Sequence, residues 1–304
     1  MSNQSAFVNP ASGSIKLTGA VDIVDAEGKV IESIDGPKFC GCGLSKGKPF
    51  CDGSHKEYVK LFAEQLRNAR ELVKPCISFG PSPKKARDIR ENELQYRLEA
   101  GERVVGVKIG GALDSSKKDE PTSVLIFGYL TDSMQVTDSI KCTNYIYPQA
   151  EAEVVFKISQ EISTEINPSD VLDYVSHVAA GMEIFDYRYG QAQIYAEDAI
   201  ADNAGAAAFA HSQWIPAHAE NLENLTAQVF TNGEEVETAP LTAIRGNPWL
   251  AIVLLSKQLA ENGIKLPAGS IVFSGSATKA VHLTAGNNYA VAIKGLGRVE
   301  IKVS

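Results

Sequence analysis

The sequence predicts an α+β protein in two parts, a small β-rich module at the N-terminus and a larger mixed-β domain with flanking helices. Three features of the residue pattern lead there. Three cysteines and a histidine crowd into residues 40–55, near the start of a 304-residue chain. Two stretches, one just after that cluster and one in the last third, carry apolar residues at helical spacing. From Arg103 onward, short β-branched and aromatic runs dominate, broken by Gly, Asn and Asp turns.

Taken in chain order, Ile15, Leu17, Val21, Ile23, Val30 and Ile34 read as short strands, with turns at residues 25–28 and 35–37. They lead into the loop Cys40 to His55. A helix is expected from Glu57 to Lys74, where Tyr58, Leu61, Phe62, Leu66, Ala69, Leu72 and Val73 recur every three or four residues and Pro75 stops the run. A charge-rich helix over Lys85–Ala100 ends at Gly101. Residues 151–158 form a strand with Glu151, Glu153 and Val155 on one face and Val154, Phe156 and Ile158 on the other. Residues 167–170, with Pro168 in the first turn, are expected to open a helix running to about Gly181, before a strand from Met182 to Arg188 that adds Glu183. The last third holds a strand over Leu225–Phe230, a turn at Asn232-Gly233, a helix over Pro248–Asn262 capped by Asn247 and stopped by Gly263, a strand over Ile271–Phe273, and a hairpin over Tyr289–Val303. The division expected from this is residues 1–56 and 57–304.

Composition restricts the partners. Apolar residues make up 44% and charged residues 22%, the profile of a globular chain with a real core. Acidic residues outnumber basic ones by 37 to 29, and a net charge of -8 argues against nucleic acid or an anionic membrane as a main partner. The N-terminus shows no targeting pattern and no apolar run is long enough to span a bilayer. Of five cysteines, three lie in the loop, leaving Cys76 and Cys142. A reducing cytoplasm is the expected location.

The loop reads Cys-Gly-Cys-Gly-Leu-Ser-Lys-Gly-Lys-Pro-Phe-Cys-Asp-Gly-Ser-His. Cys40, Cys42, Cys51 and His55 offer three sulfurs and one nitrogen, a donor set for a soft or borderline metal. A zinc knuckle or merely buried thiols are the plainer alternatives. The stretch Cys40-x-Cys42-x-x-Ser45-x-x-x-Pro49-x-Cys51-Asp52-Gly53-Ser54-His55 resembles, at every defined position, the CDGSH motif of the mitoNEET-type iron-sulfur proteins. That resemblance implies a 2Fe-2S cluster, with Cys40 and Cys42 on one iron and Cys51 and His55 on the other. A neutral, protonatable imidazole ligand raises the reduction potential and makes such a cluster labile to acid.

Glu151, Glu153 and Glu183 could form a hard-oxygen site for Mg²⁺ or Mn²⁺. By spacing alone, Glu-x-Glu on a strand is more often a solvated face, and Lys108 a solvated strand end. From about Glu57 onward, however, the chain resembles the fumarylacetoacetate hydrolase superfamily, in its 2-oxopent-4-enoate hydratase and 4-oxalocrotonate decarboxylase branch. The matching stretches include residues 101–110, 127–132, 151–153, 183–188, 201–203, 232–233 and 274–278. The resemblance implies that Glu151, Glu153 and Glu183 bind one divalent ion and that Lys108 is in the active site, with Asp186 and Arg188 as further candidate catalytic residues. It implies a lyase on an unsaturated 2-oxo acid, decarboxylase-like in preference to hydratase-like, and a homo-oligomer. Several positions depart from the family pattern. Tyr187 stands within Asp186-Tyr187-Arg188 where a serine is usual, Gly205 and Ala206 replace serines, and Ala86-Arg87 and Pro148-Gln149 replace Ala-Tyr and Pro-Arg. A changed substrate is the expectation. The competing one is a redox or cluster-carrier protein, with an electron-transfer partner, on a catalytically altered scaffold.

Overall fold

The computed structural model describes residues 5–8, 14–40, 45–69, 71–73, 83–113, 123–217 and 222–304. Cys42 and Cys76 lie outside them, as does Pro75, and His55 is described by its backbone alone.

The N-terminal part is β-rich, as expected. β1 (Ala6–Val8), β2 (Ile15–Leu17), β3 (Ala20–Val24), β4 (Val30–Asp35) and β5 (Lys38–Phe39) form a sheet in the order β1-β2-β5 and a separate β3-β4 ribbon. Phe7, Val8, Val24, Val30 and Ile31 are all exposed. These short strands therefore enclose little apolar interior of their own.

α1 (Ser54–Asn68) starts inside the Cys-Asp-Gly-Ser-His run, three residues earlier than expected, and ends well before Lys74. The early start has a local cause. The Asp52 carboxylate accepts the amides of Ser54 (2.9 Å) and Lys46 (2.8 Å), drawing the loop onto the start of the helix. The early end has a tertiary cause: the Val73 amide donates to the Arg188 carbonyl (2.8 Å), far away in sequence, so the apolar pattern outruns the helix. Val59, Phe62, Ala63 and Leu66 form the buried stripe, while Leu61 and Leu72 are exposed. The stripe packs against Ala86 and Ile89 of α2 (Pro83–Glu99) and against Tyr189 and Ala201.

The remaining elements are β6 (Val104–Leu113), β7 (Ser123–Thr131), β8 (Ser139–Ile140), β9 (Pro148–Ile158), β10 (Val175–Asp186), α3 (Ala196–Ala201), β11 (Ala206–His211), β12 (Ile215–Pro216), β13 (Thr226–Thr231), β14 (Glu234–Pro240), α4 (Leu250–Glu261), β15 (Ile271–Phe273), β16 (Val281–His282), β17 (Asn288–Ile293) and β18 (Gly297–Val303). Among the described residues they build an eight-stranded sheet in the order β11-β10-β9-β15-β6-β7, with β12 added on β10 and β16 on β9, and a five-stranded sheet in the order β14-β13-β17-β18-β8. The faces of β9 divide as its alternation predicts. Val154, Phe156 and Ile158 join the largest core cluster with Ile252, Leu255 and Leu259 of α4, whereas Val155 packs on the other side with Phe209 and Phe273.

One expected helix is absent. Residues 168–174 make only a 3₁₀ turn, and the chain then runs as a single strand, β10, from Val175 to Asp186. Ala179, Ala180 and Gly181 look helix-tolerant in isolation, yet they are buried between neighbouring strands, where small side chains let the sheet be covered on both faces. Sheet pairing with β9 along the whole of β10 overrides the local preference.

Gly128 on β7 shows how closely the layers approach. A Cβ there would stand 2.0 Å from the backbone oxygen of Asn203, whose side chain also bonds Tyr129 through both its oxygen (2.7 Å) and its nitrogen (2.9 Å). Gly128→Ala is expected to lower stability by about 3 kcal/mol, the upper part of the usual range for overpacking against immovable backbone, read as a shifted midpoint in urea denaturation.

Candidate metal centre

Antiparallel pairing assembles the site. Glu151 lies directly opposite Glu183, and Glu153 opposite Gly181, so all three carboxylates emerge on one face of the β9-β10 pair. One oxygen from each falls within 4.8 Å of the others. Glu153 and Glu183 are buried, and Glu151 is half-buried. The fold brings Glu183 to the Glu-x-Glu pair, a meeting that spacing in the sequence does not show.

The surroundings satisfy only part of this acidic group. Glu153 Oε2 accepts the Gly275 amide (2.9 Å), and Glu183 Oε1 lies 2.6 Å from the Lys108 ammonium. Glu153 Oε1 and Glu183 Oε2 are buried without a hydrogen-bond partner. Burial, together with the neighbouring Glu183, pushes the Glu151 carboxyl up to about 7, and burial beside Glu183 and Glu151 drives Glu153 well above the usual carboxylate range. Burial works against the Lys108 ammonium, but Glu183, and behind it Glu151 and Glu153, hold it above the ordinary lysine value. Hard carboxylate oxygens close together, some of them buried without a partner, fit a divalent cation such as Mg²⁺ or Mn²⁺.

Lys108 is not at a strand end, as the sequence suggests, but in the middle of β6 and almost fully buried. The parallel partner β15 places Phe273 beside it; in the loop following β15 the Gly275 amide donates to Glu153 and the Ser274 hydroxyl oxygen accepts the Val154 amide (3.1 Å). The 274–278 stretch thus buttresses the carboxylate strand.

The group opens into a cavity of about 720 Å³ lined by Lys108, Gly110, Glu151, Phe185, Asp186 and Tyr187, among others. Asp186 lines it, yet its carboxylate is turned to the protein: it accepts the amides of Ile146 (2.9 Å) and Tyr147 (2.7 Å). Arg188 does not line the cavity and instead pairs with Asp202 (2.5 Å) and Asp186 (3.6 Å). These two predicted residues therefore brace the cavity wall. Asp202, which also lines the cavity, is pushed up to about 7 by burial while Arg188 pulls the other way. It and Arg245 are site residues that sequence reasoning missed; Asp202 falls in the 201–203 stretch and could have been found there, whereas Arg245 sits in a loop without periodicity.

In the N-terminal loop, Phe39 and Phe50 form an antiparallel bridge and stack (5.6 Å between ring centroids). The Cys40 amide donates to the Pro49 carbonyl (2.8 Å) and the Cys51 amide to that of Lys38 (2.9 Å), so the two half-buried cysteines follow directly on the paired phenylalanines. His55 is a residue of the first turn of α1.

Comparison with known proteins agrees with both parts. Residues 12–56 match the family described as iron-binding zinc finger, CDGSH type. Residues 104–304 match the C-terminal domain of fumarylacetoacetate hydrolase. The chain is 30% identical to a 4-oxalocrotonate decarboxylase of Pseudomonas sp., over 78% of this chain and 97% of the relative. It is 32% identical to a 2-hydroxyhexa-2,4-dienoate hydratase of Comamonas testosteroni, over 82% and 98%. A solved 4-oxalocrotonate decarboxylase of Pseudomonas putida G7, complexed with magnesium and adipate, superposes with a TM-score of 0.75 at 26% identity, covering 82% of this chain and 98% of that one. Behind an N-terminal CDGSH segment, this chain belongs to the fumarylacetoacetate hydrolase family.

Proposed function

We propose that the protein is a divalent-metal-dependent lyase acting on an unsaturated 2-oxo acid, decarboxylase-like, and that residues 1–56 add an iron-sulfur module to the catalytic residues 57–304. The observation that carries the reading is the trio Glu151, Glu153 and Glu183, the last two buried with unpartnered oxygens, beside a cavity that Glu151 lines. These three would hold Mg²⁺ or Mn²⁺. Once bound, such an ion supplies Lewis-acid stabilisation of negative charge developing on the oxygen of a 2-oxo acid.

In decarboxylation the carbon–carbon bond to the departing carboxylate breaks, CO₂ leaves, and the electron pair remains on the substrate as an enolate that is then protonated at carbon. Hydration of a 2-oxo-alkenoate runs through an enolate of the same kind, with water adding to the alkene, and relatives of both activities support either outcome. Lys108 lines the cavity as an ammonium and is positioned to hydrogen-bond the substrate or return a proton. Asp186, Arg188 and Asp202 keep the wall in place around it. Cys40, Cys42, Cys51 and His55 would hold the 2Fe-2S cluster, in a redox or regulatory role.

Glu183→Gln is expected to reduce turnover of unsaturated 2-oxo acids, assayed with Mg²⁺ or Mn²⁺, by roughly a thousandfold, the loss of several kcal/mol of charge stabilisation. Unchanged turnover would leave the large domain as a scaffold for the cluster. Anaerobically purified protein should show a visible iron-sulfur absorption that bleaches on mild acidification, and His55→Cys should bleach more slowly. A colourless, iron-free protein would remove the iron-sulfur assignment.

A further inference from the structure

The two parts of the chain share a helix. The boundary expected between residues 56 and 57 falls inside α1, whose first turn holds His55 and whose later turns carry the buried stripe Val59, Phe62, Ala63 and Leu66. Cys51 lies three residues ahead of the helix, and the Phe39–Phe50 bridge brings Cys40 and Cys51 to the same end of the loop, which fits donors to one shared cluster. Little else fixes the start of α1. Gly53 stands at its N-cap with a φ of 87° and no side-chain cap, and Asp52 holds the amide of Ser54. A cluster bound by Cys51 and His55 would pin the first turn from both sides.

The far side of α1 is the outer layer of the cavity wall. Its stripe packs on Tyr189, with Ala192, Ile194 and Ile200 closing over the same apolar group. Tyr189, Ala192 and Ile194 also line the cavity. Ile194 and Ile200 pack in addition against Ile126, Ala199 and Ala204, which line it too. One layer of side chains therefore separates α1 from the cavity. Among the described residues, 187–194 joins no strand ladder; backbone bonds run from Tyr187 to the Tyr147 carbonyl (3.1 Å) and from Ala192 to that of Tyr189 (3.2 Å). Packing carries the rest. Tyr189 is buried, its hydroxyl donates to the Asp198 carbonyl (3.1 Å), and its ring meets that of Tyr187 edge-on, 6.5 Å between centroids.

We propose that Tyr189 is a positioning residue through which the N-terminal cluster acts on the cavity. An occupied cluster fixes the start of α1, α1 holds Tyr189, and Tyr189 sets the 187–194 wall. Loss of the cluster frays the first turns of α1, loosens the packing on Tyr189 and lets the wall open locally. The proposal rests on the iron-sulfur reading of Cys40, Cys42, Cys51 and His55, and on the 2-oxo acid reading only where ligand binding is measured.

The test compares full-length protein purified anaerobically with its cluster against the same protein stripped by dithionite and a chelator, the chelator then being removed. Hydrogen exchange is followed by mass spectrometry, and both forms, loaded with Mg²⁺, are titrated with oxalate. Stripping is expected to speed exchange at 54–66 and 187–195 by about tenfold or more and to leave 149–158 unchanged. It should weaken oxalate binding by about fivefold or more, the lower end of coupling between sites. Tyr189→Phe, which keeps the ring, should preserve the difference in oxalate affinity between the two forms, and Tyr189→Ala should erase it. Exchange that rises at 54–66 alone, or at 149–158 as well, overturns the proposal and leaves the iron-sulfur reading standing. So does an oxalate difference that is absent from wild type or survives Tyr189→Ala. Protein purified without iron removes both. Oxalate bound by neither form counts against the 2-oxo acid reading, and exchange then decides. The two wild-type forms settle the matter should a variant fail to fold.

Discussion

Three carboxylates facing one ammonium inside a sheet are the constraint around which the large domain is arranged. Charges of one sign removed from water repel and lose hydration together, and proteins relieve this with protons, counter-charges or a metal ion. Here Lys108 answers only Glu183 directly. The raised pKa values of Glu151 and Glu153 express what is left over: without a cation, the buried group favours protonated carboxyls. A divalent ion held there would replace those protons and satisfy the orphaned oxygens at once. The folded chain is thus shaped for a charge it does not itself contain.

Holding such a group in place demands a rigid frame, and the frame is built largely from small residues. Ala150 and Ala152 alternate with the glutamates on β9, Gly181 of β10 lies opposite Glu153, and Ala179 and Ala180 lie opposite Val155 and Val154 just beyond. A Cβ on Gly181 would meet Val155 at 2.3 Å and Phe273 at 2.7 Å, so the bare backbone there lets Val155, Phe273 and the carboxylate strand close up. The large side chains sit one layer out, Phe156 against Trp249 on one side and Phe209 against Phe273 on the other. Packing on both faces fixes the two strands, and the strands fix the carboxylates.

This arrangement also decides what could be read from sequence. The face of β9 is legible because alternation depends only on backbone geometry. α4 is legible because its signals are local: Asn247 accepts the Trp249 amide at 2.9 Å, and Gly263 takes a positive φ of 66° past the end. The first half of β10 is not legible, because what makes Ala179 to Gly181 a strand is a neighbour about thirty residues earlier in the chain. The depth of Lys108 is hidden for the same reason, since β7 and β15 cover β6 only after folding. The candidate metal ligands and candidate cluster cysteines follow from motif resemblance, and spacing by itself leaves their plainer alternatives standing. Arg245 carries no local signal at all: a loop arginine becomes a cavity residue only when residues 243–245 come to lie beside β6.

The same logic bears on how an N-terminal cluster could influence a distant cavity. α1 begins at the residue before His55, and its buried stripe packs on Tyr189. The following residues continue the contact, with Val73 bonded to Arg188 and the Leu72 side chain lying over Gly190. Tyr187, Tyr189, Ala192, Gln193 and Ile194 all line the cavity, in a segment of turns between β10 and α3. Contiguity transmits a signal only when the element at its end has two arrangements available. The paired strands bearing the carboxylates are held by a backbone ladder along their length, whereas the segment of turns at 187–194 belongs to no ladder and is braced by side chains such as Arg188 on Asp202. Any effect of the cluster on this cavity should therefore fall on how substrate is admitted and held by the 187–194 wall, and leave the carboxylate group undisturbed.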